Sequence, residues 1–310
     1  MPTVLITGGT GLIGTALTKA LLGKGYSVTI LTRKKKKPFP GTGPQPHYAE
    51  WDTEKGFIEE QAVRTADHIV HLAGANAGEK KWTRKRKQEI INSRVKTAEL
   101  IVKSLQEIPN QVQSVISSSA IGWYGPDDPL RPVPFTEEFP PADNFLGSTC
   151  RLWEQAVNPV SKLGKRLVIF RTGMVLSRQA GYYKELRKPI SFGLATILGN
   201  GRQVVSWIHV DDLVRMYIKA IETDQLSGVY NAVAPHPVSN KELALAIGKK
   251  VKGRFFIPVY VPSLALKMVL GEMSIEILKS ATVSCQKMHK TGFVFLYPSP
   301  EAAISALEAE

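Results

Sequence analysis

Apolar residues recur in two alternating rhythms along the first half of the chain. Short runs rich in Val, Ile and Leu lie near residues 4–6, 27–31, 47–49, 68–72, 112–117 and 167–170, the pattern of buried strands. Between them, residues 12–22 and 83–105 place apolar side chains at helical spacing. This alternation predicts βαβ units and a doubly wound parallel sheet. Beyond about residue 170 it weakens, and strand-like pieces at 203–205 and 229–231 mix with helices predicted at 210–222 and 240–249. The tail from residue 256 predicts helices at 263–270, 275–281 and 300–307. The expected α/β architecture is a sheet domain over 1–175, rejoined by about 203–235. A smaller interleaved α+β domain on the substrate side follows over 176–310, including a helical segment at 256–310. Proline-rich stretches at 35–46 and 126–141 read as loops.

Composition narrows this picture. With 310 residues, 43% hydrophobic and 22% charged, the chain can bury a large core and carries no signature of disorder. Two distant cysteines, Cys150 and Cys285, fit neither a disulfide framework nor a metal-ligand spacing, which favours a reducing compartment. No apolar run approaches the roughly 20 residues of a membrane helix, and the first residues lack the charged start of a signal peptide, so a cytoplasmic protein without a membrane partner is expected. The formal charge of +13 is spread over separate clusters at 33–37, 80–87 and 184–188. The phosphates of a nucleotide cofactor account for the first of these.

Candidate chemistry begins at Thr7-Gly8-Gly9-Thr10-Gly11-Leu12-Ile13-Gly14, between the first predicted strand and the first helix. In this context Gly8-x-x-Gly11-x-x-Gly14 has a physical purpose. The early glycines allow a tight turn and close approach of backbone to a pyrophosphate, and the last lets helix and strand pack closely. The helix start supplies free N–H groups and positive dipole. The sheet is therefore of Rossmann type, with Gly8, Thr10, Gly11, Leu12, Ile13 and Gly14 as cofactor contacts. Where an NAD site places an acid for the ribose 2′-hydroxyl, the second strand ends Thr32-Arg33. A hydroxyl and a guanidinium suit a 2′-phosphate, so NADP(H) is the expected cofactor.

Further motifs are His71-Leu72-Ala73-Gly74, the run from Trp82-Thr83 through Glu89 to Arg94, Ser117-Ser118-Ser119-Ala120-Ile121-Gly122-Trp123-Tyr124-Gly125, Arg171-Thr172-Gly173-Met174-Val175-Leu176, and Trp207-Ile208-His209-Val210-Asp211-Asp212. Together with the glycine turn, they make the chain resemble an extended short-chain dehydrogenase/reductase. More narrowly, it resembles the epimerase-family subgroup that ends in a small C-terminal domain of unknown function. The resemblance implies that Leu72, Ala73 and Gly74 pack against the adenosine and ribose side of the cofactor, and that Val175 lies by the nicotinamide. It also implies that Glu89 and Arg94 reach polar groups of the cofactor.

The resemblance further implies a catalytic serine, matched by Ser119, and a Tyr-x-x-x-Lys pair on the next helix. Aligning the Trp153-Glu154 end of that helix puts Leu146, or at best Phe145, in the tyrosine position and Thr149 or Cys150 in the lysine position. None of these shuttles a proton as a phenol does. Tyr124 and His209 remain as other acid–base candidates, His209 reading equally as a helix cap, while Arg171 faces either an anionic substrate or a backbone carbonyl.

Two readings follow. One is an NADP(H)-dependent oxidoreductase or epimerase acting on an unidentified small molecule, with Ser119 and a water or substrate group handling the proton. The other is an NADP(H)-binding sensor or scaffold with a degenerate site. Nucleic-acid binding through the basic run 80–87 is not expected, because that run opens a helix the family motif already explains. A homodimer stays open.

Overall fold

The computed structural model describes residues 1–33, 39, 43–130 and 132–309. Of the basic cluster 33–37, Arg33 alone lies within the described residues, and the loop 35–46 is described at 39 and 43–46.

The first strand, β1 (Thr3–Thr7), runs into α1 (Leu12–Gly23), then β2 (Ser27–Thr32) and β3 (His47–Asp52). A two-residue β4 (Phe57–Ile58) pairs antiparallel with β3, and α2 (Glu60–Arg64) leads to β5 (His68–His71). Next come α3 (Arg84–Glu107), β6 (Ser114–Ala120), α4 (Phe145–Val157) and β7 (Arg166–Thr172). The second half holds β8 (Met174–Leu176), α5 (Tyr182–Ser191), β9 (Leu194–Leu198), β10 (Val204–Val205), β11 (Trp207–His209), α6 (Val210–Glu222) and β12 (Gly228–Ala232). It ends with β13 (Val238–Ser239), α7 (Asn240–Lys252), β14 (Ile257–Val261), α8 (Ser263–Leu270), α9 (Met273–Leu278), α10 (Gln286–His289) and α11 (Pro300–Ala309).

The large sheet has the order β12-β7-β6-β5-β1-β2-β3-β4 and is parallel except at β4. Chain order therefore reverses between β1 and β5, and it is at such a switch, beyond the carboxyl ends of the strands, that open α/β sheets leave a crevice for ligands. Both faces are covered. Val4 and Ile6 point into a core shared with α1 and α6, whereas Leu5 between them points into a core shared with α3 and α4. That period of two is what a strand buried on both faces requires.

Within 203–235, α6 packs against β6 and β12 joins β7 at the edge of the sheet. In contrast, β10 pairs with β13 and β11 with β8, each in a separate small sheet. A third core gathers Tyr183, Leu186, Ile190, Ala195, Leu243 and Ile247 under α5, α7 and β9. No helix among the described residues is long and apolar enough to cross a membrane.

Candidate nucleotide site and its surroundings

The turn after β1 is built by its glycines. Gly8 has φ +70°, in the left-handed region, and its carbonyl accepts from the Gly11 N–H at 3.0 Å. A Cβ on Gly8 would stand 2.8 Å from the Leu72 carbonyl carbon, and one on Gly14 would overlap the Gly8 oxygen and the Gly9 Cα. Helix α1 thus starts hard against the end of β1. Its N-cap, Gly11, brings no side-chain acceptor, and the first turn carries no acidic residue. The dipole end and its N–H groups are left for an external anion, beside the exposed Thr10 and Gly11.

On the other side of the switch, the Thr7 hydroxyl oxygen accepts from the backbone N–H groups of Leu72 and Ala73, both at 3.1 Å. The loop after β5 is thereby fixed against the glycine turn. Leu12, Val175 and Gly181 also converge: a Cβ on Gly181 would meet the Val175 oxygen at 3.5 Å and Leu12 Cδ2 at 3.9 Å. Because Thr7 lies in register with Leu31, Thr32 and the exposed Arg33 leave the sheet beside this turn.

The resemblance implies that Glu89 and Arg94 reach the cofactor; within the chain both have partners of their own around the loop after β5. Arg94 Nη1 donates to the carbonyls of Ala75 (3.0 Å) and Ile90 (2.9 Å), and its guanidinium lies 5.0 Å from the Trp153 ring. A Cβ on Gly74 would sit 3.3 Å from Arg94, so this side chain is the floor under the loop after β5. Glu89 is exposed and pairs with Arg86 at 2.8 Å, while Arg86 also holds Glu79 and the Asn76 carbonyl. Both act on the 72–79 loop, with Arg94 the nearer to the crevice.

Ser119 is the penultimate residue of β6, two residues beyond Ser117, which pairs with His71. Its hydroxyl donates to Glu154 Oε1 at 2.7 Å, and Glu154 receives a two-pronged ion pair from Arg171, at 2.9 Å on each oxygen. Arg171 also donates to the Tyr124 hydroxyl and the Glu137 carbonyl, both at 3.1 Å, and stacks 3.6 Å from the Trp123 ring. Tyr124 in turn donates to Asn231 Oδ1 at 2.7 Å. Sequence reasoning left Arg171 between two roles; it meets a carbonyl, and a carboxylate of its own chain. The partnership of Glu154 with Ser119 was missed. The available signal was a carboxylate and a guanidinium on elements otherwise buried, since such charges rarely go unpaired.

No proton donor replaces the missing phenol on α4. Leu146 packs on Gly122, and Phe145 meets Trp82 edge to face at 4.8 Å. The Thr149 hydroxyl is bonded to the Phe145 carbonyl, and burial, with the Glu154 charge, pushes the Cys150 thiol up to about 11. Burial likewise raises the Tyr124 phenol, and its hydroxyl is engaged by Asn231 and Arg171. His209 is buried and caps α6, its Nδ1 accepting from the Asp211 N–H at 3.1 Å, with burial lowering its pKa. In the basic run, Trp82 donates to the Ala77 carbonyl and Lys87 pairs with Glu272.

Residues 4–232 match the NAD dependent epimerase/dehydratase family, and residues 261–307 match a domain of unknown function, DUF1731. The chain belongs to the NAD dependent epimerase/dehydratase family. It is 33% identical over 309 residues to an epimerase family protein of Staphylococcus saprophyticus, covering 98% of each chain. It is 31% identical over 310 residues to human epimerase family protein SDR39U1, covering 99% of each. The crystal structure of that human protein (isoform 2) with NADPH superposes with a TM-score of 0.86 at 30% identity, covering 99% of both chains. UDP-N-acetylglucosamine 4-epimerase from Bacillus cereus, at 18% identity and a TM-score of 0.77, shares the fold. As a member of this epimerase family with the DUF1731 tail, the chain has the extended short-chain dehydrogenase/reductase architecture.

Proposed function

We propose that the chain is an NADP(H)-dependent oxidoreductase of the epimerase type, acting on a small molecule through an atypical site. The observation that carries this reading is the uncapped, glycine-built start of α1, locked to the loop after β5 at the sheet's switch point, with Arg33 and no acid where β2 ends. The human relative crystallised with NADPH supports the choice of cofactor. Gly8, Thr10, Gly11, Leu12, Ile13 and Gly14 would hold the pyrophosphate, and Thr32 and Arg33 the 2′-phosphate. Leu72, Ala73 and Gly74, floored by Arg94, would line the adenosine side, with Val175 on the nicotinamide side. When bound, the nicotinamide supplies or accepts the hydride.

Ser119 would then be the catalytic residue. Its proton rests on Glu154, so its oxygen offers lone pairs and holds a substrate hydroxyl as acceptor. With Leu146 or Phe145 in the place of the phenol and Thr149 or Cys150 in that of the amine, the substrate proton exchanges with water or with a group on the substrate itself. The absence of a titrating side chain there favours a second reading, an NADP(H)-binding sensor without turnover. To separate the two, NADPH consumption is followed by nicotinamide absorbance against a panel of aldehydes and ketones. The enzyme reading predicts turnover that Ser119→Ala abolishes while NADPH affinity stays unchanged. Tight NADPH binding with no consumption by any carbonyl would leave the sensor.

A further inference from the structure

The carboxyl edge of the sheet is bridged by the chain from β14 to residue 283. One end of this strap is anchored deeply. Asp127 accepts from the Thr282 N–H and hydroxyl, both at 2.7 Å, Lys279 donates to the Tyr124 carbonyl at 2.9 Å, and the Ser206 hydroxyl oxygen accepts from the Val283 N–H at 2.9 Å. The other end rests on the start of α3, where Lys81 donates to the Met268 carbonyl at 3.2 Å and Lys87 pairs with Glu272 at 2.6 Å. Lys87 also lies 5.1 Å over the Phe145 ring. Helices α8 and α9 therefore span the mouth of the crevice between the segments that follow β5 and β6.

An apolar surface runs outward from this mouth. In the parallel ribbon β9–β14, Ile257, Val259 and Val261 lie in register with Leu194, Thr196 and Leu198, so all six share one face. On the opposite face the β9 side is packed, with Ala195 and Ile197 fully buried, while Pro258 and Tyr260 of β14 are exposed. On the shared face Ile257 is 66% exposed, Leu194 41% and Val259 38%, and α8, which follows β14 directly in the chain, exposes Leu264 and Met268, each 69% and one helical turn apart. A contiguous patch of this kind marks a binding surface.

We infer that the substrate is an amphiphilic anion, with an apolar acyl or aromatic body lying along the β9–β14 ribbon and α8 and one acidic group held at the lysines of the mouth. This rests on the proposed catalytic crevice and names its substrate class. Continuity carries the apolar part, since α8, which prolongs the ribbon face, is the element bonded to Lys81 beside the crevice. Charge carries the acidic part. Lys80, Arg84 and Lys85 at the mouth are exposed and form no ion pair among the described residues, against Glu79, Glu89 and Glu272, which are each paired with Arg86 or Lys87. A second copy suits the surface less well, because Lys252, Arg254 and Lys267 on and beside the ribbon would face their equivalents. Strand addition is also opposed: the Ile257 N–H bonds toward β9, which leaves the outer edge to Pro258 and Tyr260, the first of them without an N–H. A nucleotide sugar would find one side-chain hydroxyl, Thr196, on that face and otherwise hydrocarbon.

The test is calorimetric titration of the full chain with decanoate, decanol and UDP-glucose, each with and without saturating NADPH. It uses the native sequence, Val259→Asp and the double variant Lys80→Ala/Lys85→Ala. The expected result is saturable decanoate binding, no binding of UDP-glucose, and about tenfold or greater weakening of decanoate by Val259→Asp, where the carboxylate buries against the apolar body. The Lys80→Ala/Lys85→Ala double variant weakens decanoate and leaves decanol unchanged. Unaltered melting temperature establishes that the variants are folded. The inference is overturned by UDP-glucose binding in place of decanoate, or by decanoate binding that ignores Val259→Asp. It is equally overturned by a dimer that Val259→Asp dissociates in sedimentation, or by binding confined to phosphatidylglycerol vesicles. NADPH heats are read separately: decanoate binding without NADPH binding defeats the cofactor reading and leaves the apolar site standing, whereas the reverse defeats this inference alone.

Discussion

Glu154 holds together three side chains that come from distant parts of the chain. It takes the proton of Ser119 and both prongs of Arg171, and through Arg171 it fixes Tyr124 and the Glu137 carbonyl. Glu154 and Arg171 are both nearly inaccessible to solvent, so their energetics are asymmetric: the pair adds little over a packed apolar pair, but removing one member strands a buried charge. Glu154→Ala is expected to lower unfolding free energy by about 3–5 kcal/mol, read as a drop in the urea midpoint. A loss below about 1 kcal/mol would mean that Arg171 finds water and the network is dispensable. Ser119 was legible from its place after the fifth predicted strand. Its partner was not, because Glu154 lies on α4, and which face of a helix docks on a given strand is a tertiary fact that a single sequence does not display.

The turn between β1 and α1 is the element on which cofactor binding depends, and its tolerance is set by backbone. Gly14→Ala brings a methyl group into the Gly8 carbonyl and the Gly9 Cα, neither of which can yield without opening the turn. Overpacking of this kind costs about 1–3 kcal/mol, and NADPH binding should be lost with it. Differential scanning calorimetry and an NADPH titration check the two effects. This turn, β1 to β3, β5 to β7, β12 and helices α1, α3, α6, α7 and α11 were readable because their periodicity and their burial agree, and β10 and α8 were placed although little of either is buried. Some other elements were not. Helix α5 carries Pro189 within its last turn, and β14 carries Pro258 near its start, so both read as broken. Each is tolerated for a local reason: Pro189 ends its helix, and Pro258 faces the free edge of a two-stranded ribbon. The two-residue β4 and five-residue α2 are too short to show any period. Glu89 and Arg94 were readable as residues of the α3 motif, but their targets depend on how the 72–79 loop folds back, a tertiary fact.

At the scale of the whole molecule, the buried histidines set the acid limit of stability. Burial, aided by the Arg94 charge, lowers His71 to about 3, and burial also lowers His68 and His209. Folded His71 therefore stays neutral, while in the unfolded chain it takes up a proton near 6.5, so its contribution is whole above that pH and is lost as pH falls from 6.5 toward 3. The slope approaches about 1.4 kcal/mol per pH unit for each such histidine. Urea midpoints near neutral pH and at about pH 5 should show this decline, and His71→Gln should make it shallower. An unchanged slope in that variant would move the acid sensitivity to the carboxylates. The same large sheet that buries these histidines leaves the crevice at its switch point, and the central claim is that this crevice takes NADP(H). The most direct measurement is calorimetric titration with NADPH and with NADH, repeated on Arg33→Ala. The account predicts tight NADPH binding, weaker NADH binding, and a loss of about 1–3 kcal/mol for NADPH alone in the variant. Equal affinity for both nucleotides, unmoved by Arg33→Ala, would contradict the 2′-phosphate assignment, and binding of neither would contradict the site itself.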